Sequence, residues 1–172
     1  RFGLVPGEGG VDRAVELDPN FALAYLAAGR SYGHIGDVPG IRREFDKANK
    51  RREHLASREA LMLDAQMARF GSVAPMLQRW EQLIAMYPDN HDAHFVLAVE
   101  GMFRANRFEF AMKHARAAAA PQYMAQGAAL YLQGMVLTGL GKPDEAIKTF
   151  KKSYQAGFKG AAFDYARAYA AK

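Results

Sequence analysis

The chain has 172 residues, a formal net charge of +5 and no cysteine. That length suits one domain or a short repeat array. The missing cysteine excludes disulfides, thiolate nucleophiles and cysteine-ligated zinc, and the charge excess is too small to imply a nucleic-acid partner.

Half of the residues are hydrophobic and 24% are charged, which supplies apolar surface for a core and argues against disorder throughout. The most apolar stretch, residues 117–140, is cut by Pro121, Gln122, Gln126 and Gln133, so no membrane span is expected. The compartment stays open, because cytoplasm and periplasm both tolerate a cysteine-free chain.

In chain order, residues 1–10 are rich in Gly and Pro and read as a flexible lead-in to a piece of a longer protein. Residues 11–21 form a partial unit that ends in Ala14-Val15-Glu16-Leu17-Asp18-Pro19. Ala48 stands 34 residues after Ala14 and Pro88 stands 69 after Pro19, which suggests a repeat period near 34.

The unit at 22–55 opens with Tyr25, Ala28, Gly29, Tyr32 and Ile35 at helical spacing. Gly36-Asp37 ends that helix, and a second follows with Ile41, Phe45 and Ala48 on one face. Large residues against small ones predict two antiparallel helices joined by a short turn. The unit at 57–90 carries Ala60, Leu63, Met67, Phe70 and Gly71, then Met76, Trp80 and Leu83. The unit at 92–125 carries Phe95, Ala98, Met102 and Ala105, then Ala111, Ala115 and Ala118. In the unit at 127–158, Leu130, Gly134, Leu137 and Leu140 precede Gly141-Lys142-Pro143 and then Ala146 and Phe150. Residues 160–172, with Phe163, Ala166 and Ala170, read as a first helix without its partner.

This alternation resembles the tetratricopeptide repeat family from Val11 onward, more closely in the units at 22–55 and 127–158. Asp64 and Val99 depart from the pattern, standing where it has a small residue, and the two middle units read as carrying one-residue insertions. The resemblance implies an all-α fold, an α-solenoid of antiparallel helical hairpins wound into a right-handed superhelix. It implies a protein- or peptide-binding scaffold, not an enzyme. More narrowly, Ala14 to Tyr25 and Ser57-Arg58-Glu59 resemble repeat regions of bacterial receptor-type serine/threonine kinases and winged-helix regulators. A sensory or regulatory domain of such a protein, or a self-association module, is the alternative.

Carried onto this chain, the family's groove positions are Leu26, Arg30 and His34, then Arg58, Met62 and Arg69, then Leu97, Glu100, Phe103 and Arg104, and finally Tyr131 and Met135, with Thr138 beside them. The slots of the family's lysine-and-asparagine carboxylate clamp hold Leu26, Arg30, Met62, Ala93 and Leu97, so that ligand is not expected. Adaptable methionines and bidentate arginines suit an apolar, partly acidic segment. Packing of this face on another domain is the competing reading.

No cofactor is expected. His91 and His94 have the i, i+3 spacing of two metal ligands beside Asp89 and Asp92. Asp89-Asn90 after Pro88 reads better as a helix cap, and structural zinc needs more ligands than these. Gly139-Leu140-Gly141-Lys142 resembles the end of a phosphate loop, but Pro143 replaces the Ser/Thr and no strand precedes it. The basic run Arg42 to Arg52 is interleaved with Glu44 and Asp46 and reads as a solvated helix face.

Overall fold

The computed structural model describes residues 8–170, apart from the side chains of Glu8, Asp12, His34, Ile35, Ala168 and Ala170. The expected lead-in therefore lies largely outside the described residues, as do the side chains of Ile35 and Ala170. Among the described residues every α or β element is a helix. They run α1 (Glu8–Leu17), α2 (Ala22–Ile35), α3 (Val38–Asn49), a 3-10 turn (Arg52–His54), α4 (Ser57–Ala68), α5 (Val73–Met86), α6 (His91–Phe103), α7 (Phe108–Ala118), α8 (Gln126–Gly139), α9 (Pro143–Gln155) and α10 (Ala161–Ala170). They fall into two compact units, one up to Ser72 and one from Val73. The repeat read at 57–90 is thereby divided, α4 belonging to the first unit and α5 to the second.

In the first unit, α2 and α3 form a hairpin. Gly36 turns it with φ 73°, the left-handed conformation that costs glycine nothing. Asp37 then caps α3 by accepting from the Gly40 amide at 3.0 Å. Gly29 lets the ring of Phe45 lie on the α2 backbone, where a Cβ would collide with it. Tyr25, Leu26, Phe45, Ala48 and Leu63 form the core, with Val15, Ile41, Leu55, Met67 and Phe70 packed on it.

The basic run from Arg42 to Arg52 is more than a solvated face. Arg52 grips Asp64 through two hydrogen bonds of 2.6 Å. Arg51 donates to the Pro19 carbonyl at 2.6 Å and lies 4.8 Å from the Tyr25 ring centroid. Arg42 stacks 4.4 Å over Phe70. Asp64, at the expected small-residue slot, is thus held by a charge-assisted fork.

In the second unit, α6/α7 and α8/α9 are hairpins, α5 packs on α6, α7 on α8, and α10 on α9. Asn90 caps α6 by accepting from Ala93 at 3.0 Å, the cap expected from the sequence. Gly141 closes α8 with φ 70°, and Asn106 follows α6 with φ 52°. Gly134 admits Phe150 as Gly29 admits Phe45. One cluster holds Ala111, Met112, Val136, Leu137, Ala146 and Phe150, and another holds Ala98, Ala115 and Leu132. Polar ties also join elements: Ser153 Oγ donates to the Gly127 carbonyl at 2.6 Å, and Gln133 Nε2 to the Ala115 carbonyl at 3.0 Å.

These turns mark an interval of 35 residues, next to the period near 34 read from the sequence. Asn106 and Gly141 are 35 residues apart, and Gly36 precedes Asn106 by twice that. Ala14, taken from the sequence as the counterpart of Ala48 at 34, is half-buried where Ala48 is fully buried.

Candidate functional site

The positions expected in a groove divide by burial. In the first unit, Leu26 is 2% exposed and belongs to the core, so it offers a ligand nothing. Arg30 and Arg69 are exposed, and Arg58 and Met62 are half-buried. Arg30 Nη1 lies 3.9 Å from the Met62 sulfur, so α2 and α4 bring these two together. Arg69 Nη1 reaches Gln66 Oε1 at 3.5 Å. The His34 side chain lies outside the described residues.

In the second unit, Leu97 is fully buried and Glu100 is 4% exposed, so neither lines an open surface. Glu100 pairs with Arg104 at 3.4 Å. Phe103, by contrast, is 60% exposed at the end of α6. Tyr131 is half-buried and donates its hydroxyl to Asp164 Oδ2. That hydrogen bond, with burial second, pushes the phenol above its ordinary value and keeps it neutral.

Beside these lies an open pocket of about 290 Å³. Met102, Phe108, Met135 and Phe150 give it apolar walls, Thr138 and Gly139 lie along α8, and Asp164 and Arg167 come from α10. Gly139 lets Phe108 approach, since a Cβ there would strike that ring. Arg167 Nη2 is 2.9 Å from Asp164 Oδ1, and its guanidinium sits 6.0 Å from the centroid of the exposed Phe163. Met135 and Thr138, expected in a groove, line this pocket, whereas the α10 contribution had no place in the sequence reading. The signal was there: Arg167 follows Leu132 by 35 residues, and Phe163 follows Ala128 by the same interval.

The chemical alternatives resolve into structural duties. His94 turns toward His114, with their Nδ1 atoms 2.9 Å apart, while His91 Nδ1 meets the Ala117 carbonyl at 3.1 Å. The i, i+3 pair therefore does not converge. Among the described residues no group of three or more His, Asp or Glu could hold a metal. The hydroxyls of Ser31, Thr138 and Ser153 donate to the carbonyls of Ala27, Gly134 and Gly127. Gly139 to Lys142 is the turn into α9, where Gly141 is left-handed, which accounts for its glycine without a phosphate. Among the described residues no helix is long and apolar enough to cross a membrane.

No protein-family model matches the chain, and no curated protein matches it. Solved structures do. MamA is 20% identical with a TM-score of 0.58, over 88% of this chain and 86% of that one. The type IV pilus biogenesis factor PilW is 16% identical with a TM-score of 0.55, over 88% and 84%. YrrB, described as a TPR protein with an unusual peptide-binding site, is 22% identical with a TM-score of 0.51, over 86% and 74%. The fold is an all-α helical-repeat solenoid of the tetratricopeptide type. At these identities the likeness speaks for the fold alone.

Proposed function

We propose that this chain is a protein-binding scaffold, and that the pocket of the second unit anchors a large apolar side chain of an acidic partner segment. The carrying observation is the pocket itself: apolar walls from Met102, Phe108, Met135 and Phe150, open to solvent. Uncovered apolar surface of this kind marks interaction sites, and two thioethers adapt to varied apolar shapes. Both oxygens of Asp164 are engaged, by Arg167 and Tyr131, while the Arg167 guanidinium has further N–H groups to offer. The rim therefore favours a carboxylate over an ammonium. The peptide-binding site of YrrB supports the same use of this fold.

In the first unit, Arg30, Arg58, Met62 and Arg69 are the corresponding proposal. The narrower reading, a sensory or regulatory part of a bacterial kinase or winged-helix regulator, rests on the segments Ala14 to Tyr25 and Ser57 to Glu59 alone.

Selection of a displayed random-peptide library on the purified chain tests the reading. Sequences with one large apolar residue flanked by Asp or Glu should emerge. Arg167→Glu should weaken a selected peptide about tenfold or more, roughly 1.4 kcal/mol per decade. Lysine-rich winners, or affinity indifferent to Arg167→Glu, would refute it. For the first unit, Arg30→Glu with Arg69→Glu should weaken an acidic peptide while leaving the denaturation midpoint nearly unchanged; an unchanged affinity removes those residues from the site.

A further inference from the structure

Two imidazoles in the α6/α7 hairpin have no part in the binding reading. His94, near the start of α6, and His114, on α7, place their Nδ1 atoms 2.9 Å apart, with ring centroids 5.2 Å apart. His114 is 2% exposed, and Phe110 meets its ring edge-on at 4.4 Å. His94 Nε2 lies 3.2 Å from the Pro88 carbonyl, which can only accept. That contact puts a proton on Nε2 of His94. In the neutral ring Nδ1 is then a lone pair, and it accepts the Nδ1–H of His114. One proton fits between the two rings, and a second does not.

We propose that this pair is an acid-sensitive latch holding α7 against the start of α6. With both rings neutral the hydrogen bond closes. A first added proton, on Nε2 of His114, leaves the hydrogen bond closed but places a cation in a buried setting. A second added proton sets two N–H groups head to head, and the contact must open.

The surroundings on balance oppose charging, although the hydrogen bond to the Pro88 carbonyl favours it for His94. Burial is the main cause that lowers both pKa values, that of His114 to about 4, and Lys113 adds to it for both rings. His91 acts on His94, and Arg107, which stacks on Phe110, acts on His114. The other charged groups on the packed elements do not offset this. The Asp92 carboxylate takes the Tyr123 hydroxyl at 2.6 Å, and Asp89 and Glu109 are exposed. On α5, Arg79 and Glu81 are exposed, and Arg79 reaches Gln82 at 3.2 Å. The titratable group on α8 is Tyr131, bound to Asp164.

The sign follows. Unfolded imidazoles titrate near 6.5, so below that pH the unfolded chain binds more protons than the folded one. The latch's stability is complete above about pH 6.5 and is lost as pH falls toward 4. Between pH 7.5 and 4.5 the folding equilibrium constant should drop on the order of fifty- to a hundred-fold through His114, and further through His94. The latch stands or falls independently of whether the pocket of the second unit binds a peptide.

Urea denaturation of the full chain from pH 7.5 to 4.5 tests it, with His114→Leu beside the parent and His54→Gln as control. The parent should lose stability in acid, His114→Leu should lose far less, and His54→Gln should behave like the parent. An equal acid decline in His114→Leu overturns the latch. Should that variant fail to fold, nitrogen-resolved NMR of the parent decides. His94 and His114 staying neutral below pH 5, with the hydrogen of His94 on Nε2, supports the latch; both rings titrating near 6.5 overturns it.

Discussion

The hairpins α8/α9 and α6/α7 are successive repeats of one compact unit, yet they fill the same slots in opposite ways. In α8/α9 a glycine on the first helix, Gly134, receives the ring of Phe150 from the second, as Gly29 receives Phe45 in α2/α3. In α6/α7 the equivalent positions are Val99 and Ala115, so bulk has crossed to the first helix. An aromatic returns elsewhere, Phe110 lying against Gly101. The repeat thus maintains filled volume at the seam between helices and not the identity of the residues that fill it, as close packing demands.

The comparison breaks most visibly at Phe150. Phe150→Ala empties a ring-sized space in the cluster it forms with Ala111, Met112, Val136, Leu137 and Ala146, and should cost about 3–5 kcal/mol. Val99→Ala removes two methyls from a half-buried site and should cost roughly 1 kcal/mol. Urea denaturation of the two variants should show the seam of α8/α9 to be the more demanding; equal losses would mean that Phe150 fills its seam no more tightly than Val99 fills the other.

A transplant sharpens it. Gly134→Val alone thrusts a side chain into the Phe150 ring and should cost about 1–3 kcal/mol or more. Combined with Phe150→Ala, it reproduces the arrangement of α6/α7. The double variant should then be more stable than the sum of the single losses by about 1 kcal/mol or more, a coupling readable in a double-mutant cycle. Strict additivity would mean that the two slots do not face each other as one volume.

The same contrast explains what could be read from the chain beforehand. Gly29 with Phe45 and Gly134 with Phe150 gave away the hairpins, because a glycine sixteen residues before an aromatic is a local, directional signal. Val99 and Ala115 carry no such signal, and the middle of the array accordingly looked irregular although the interval of 35 runs through it. Asp64 looked like a defect because its partner, Arg52, sits in a basic run that reads as solvent-facing. The groove list mixed core with surface: Leu26, Leu97 and Glu100 are buried by neighbours whose approach no single-helix pattern encodes. The pocket was half legible. Met135 and Thr138 follow from the repeat, whereas Asp164 and Arg167 needed the interval carried into the tail. The His94–His114 contact joins residues twenty apart on different helices, and the visible His91–His94 spacing pointed to a different pairing.

The smallest difference between the hairpins lies in their turns. Gly141 and Asn106 occupy equivalent positions with φ of 70° and 52°. Behind Gly141 the Lys142 amide donates to Leu137 at 2.9 Å; behind Asn106 the Arg107 amide reaches back to Gly101 at 2.7 Å, one residue further. The α6 turn is therefore wider and is made by a residue that tolerates the left-handed region without being free in it. Gly141→Ala should cost about 1 kcal/mol, the usual penalty of a Cβ at positive φ. Gly141→Asn should cost less, because asparagine enters that region more readily than alanine. Asn106→Gly should change stability by a few tenths of a kcal/mol at most, since relief of the backbone is offset by the freer unfolded chain. If Asn106→Gly instead destabilised the protein by more than Gly141→Ala, the asparagine side chain would be holding the turn by a bond of its own, and the two turns would no longer be versions of one device.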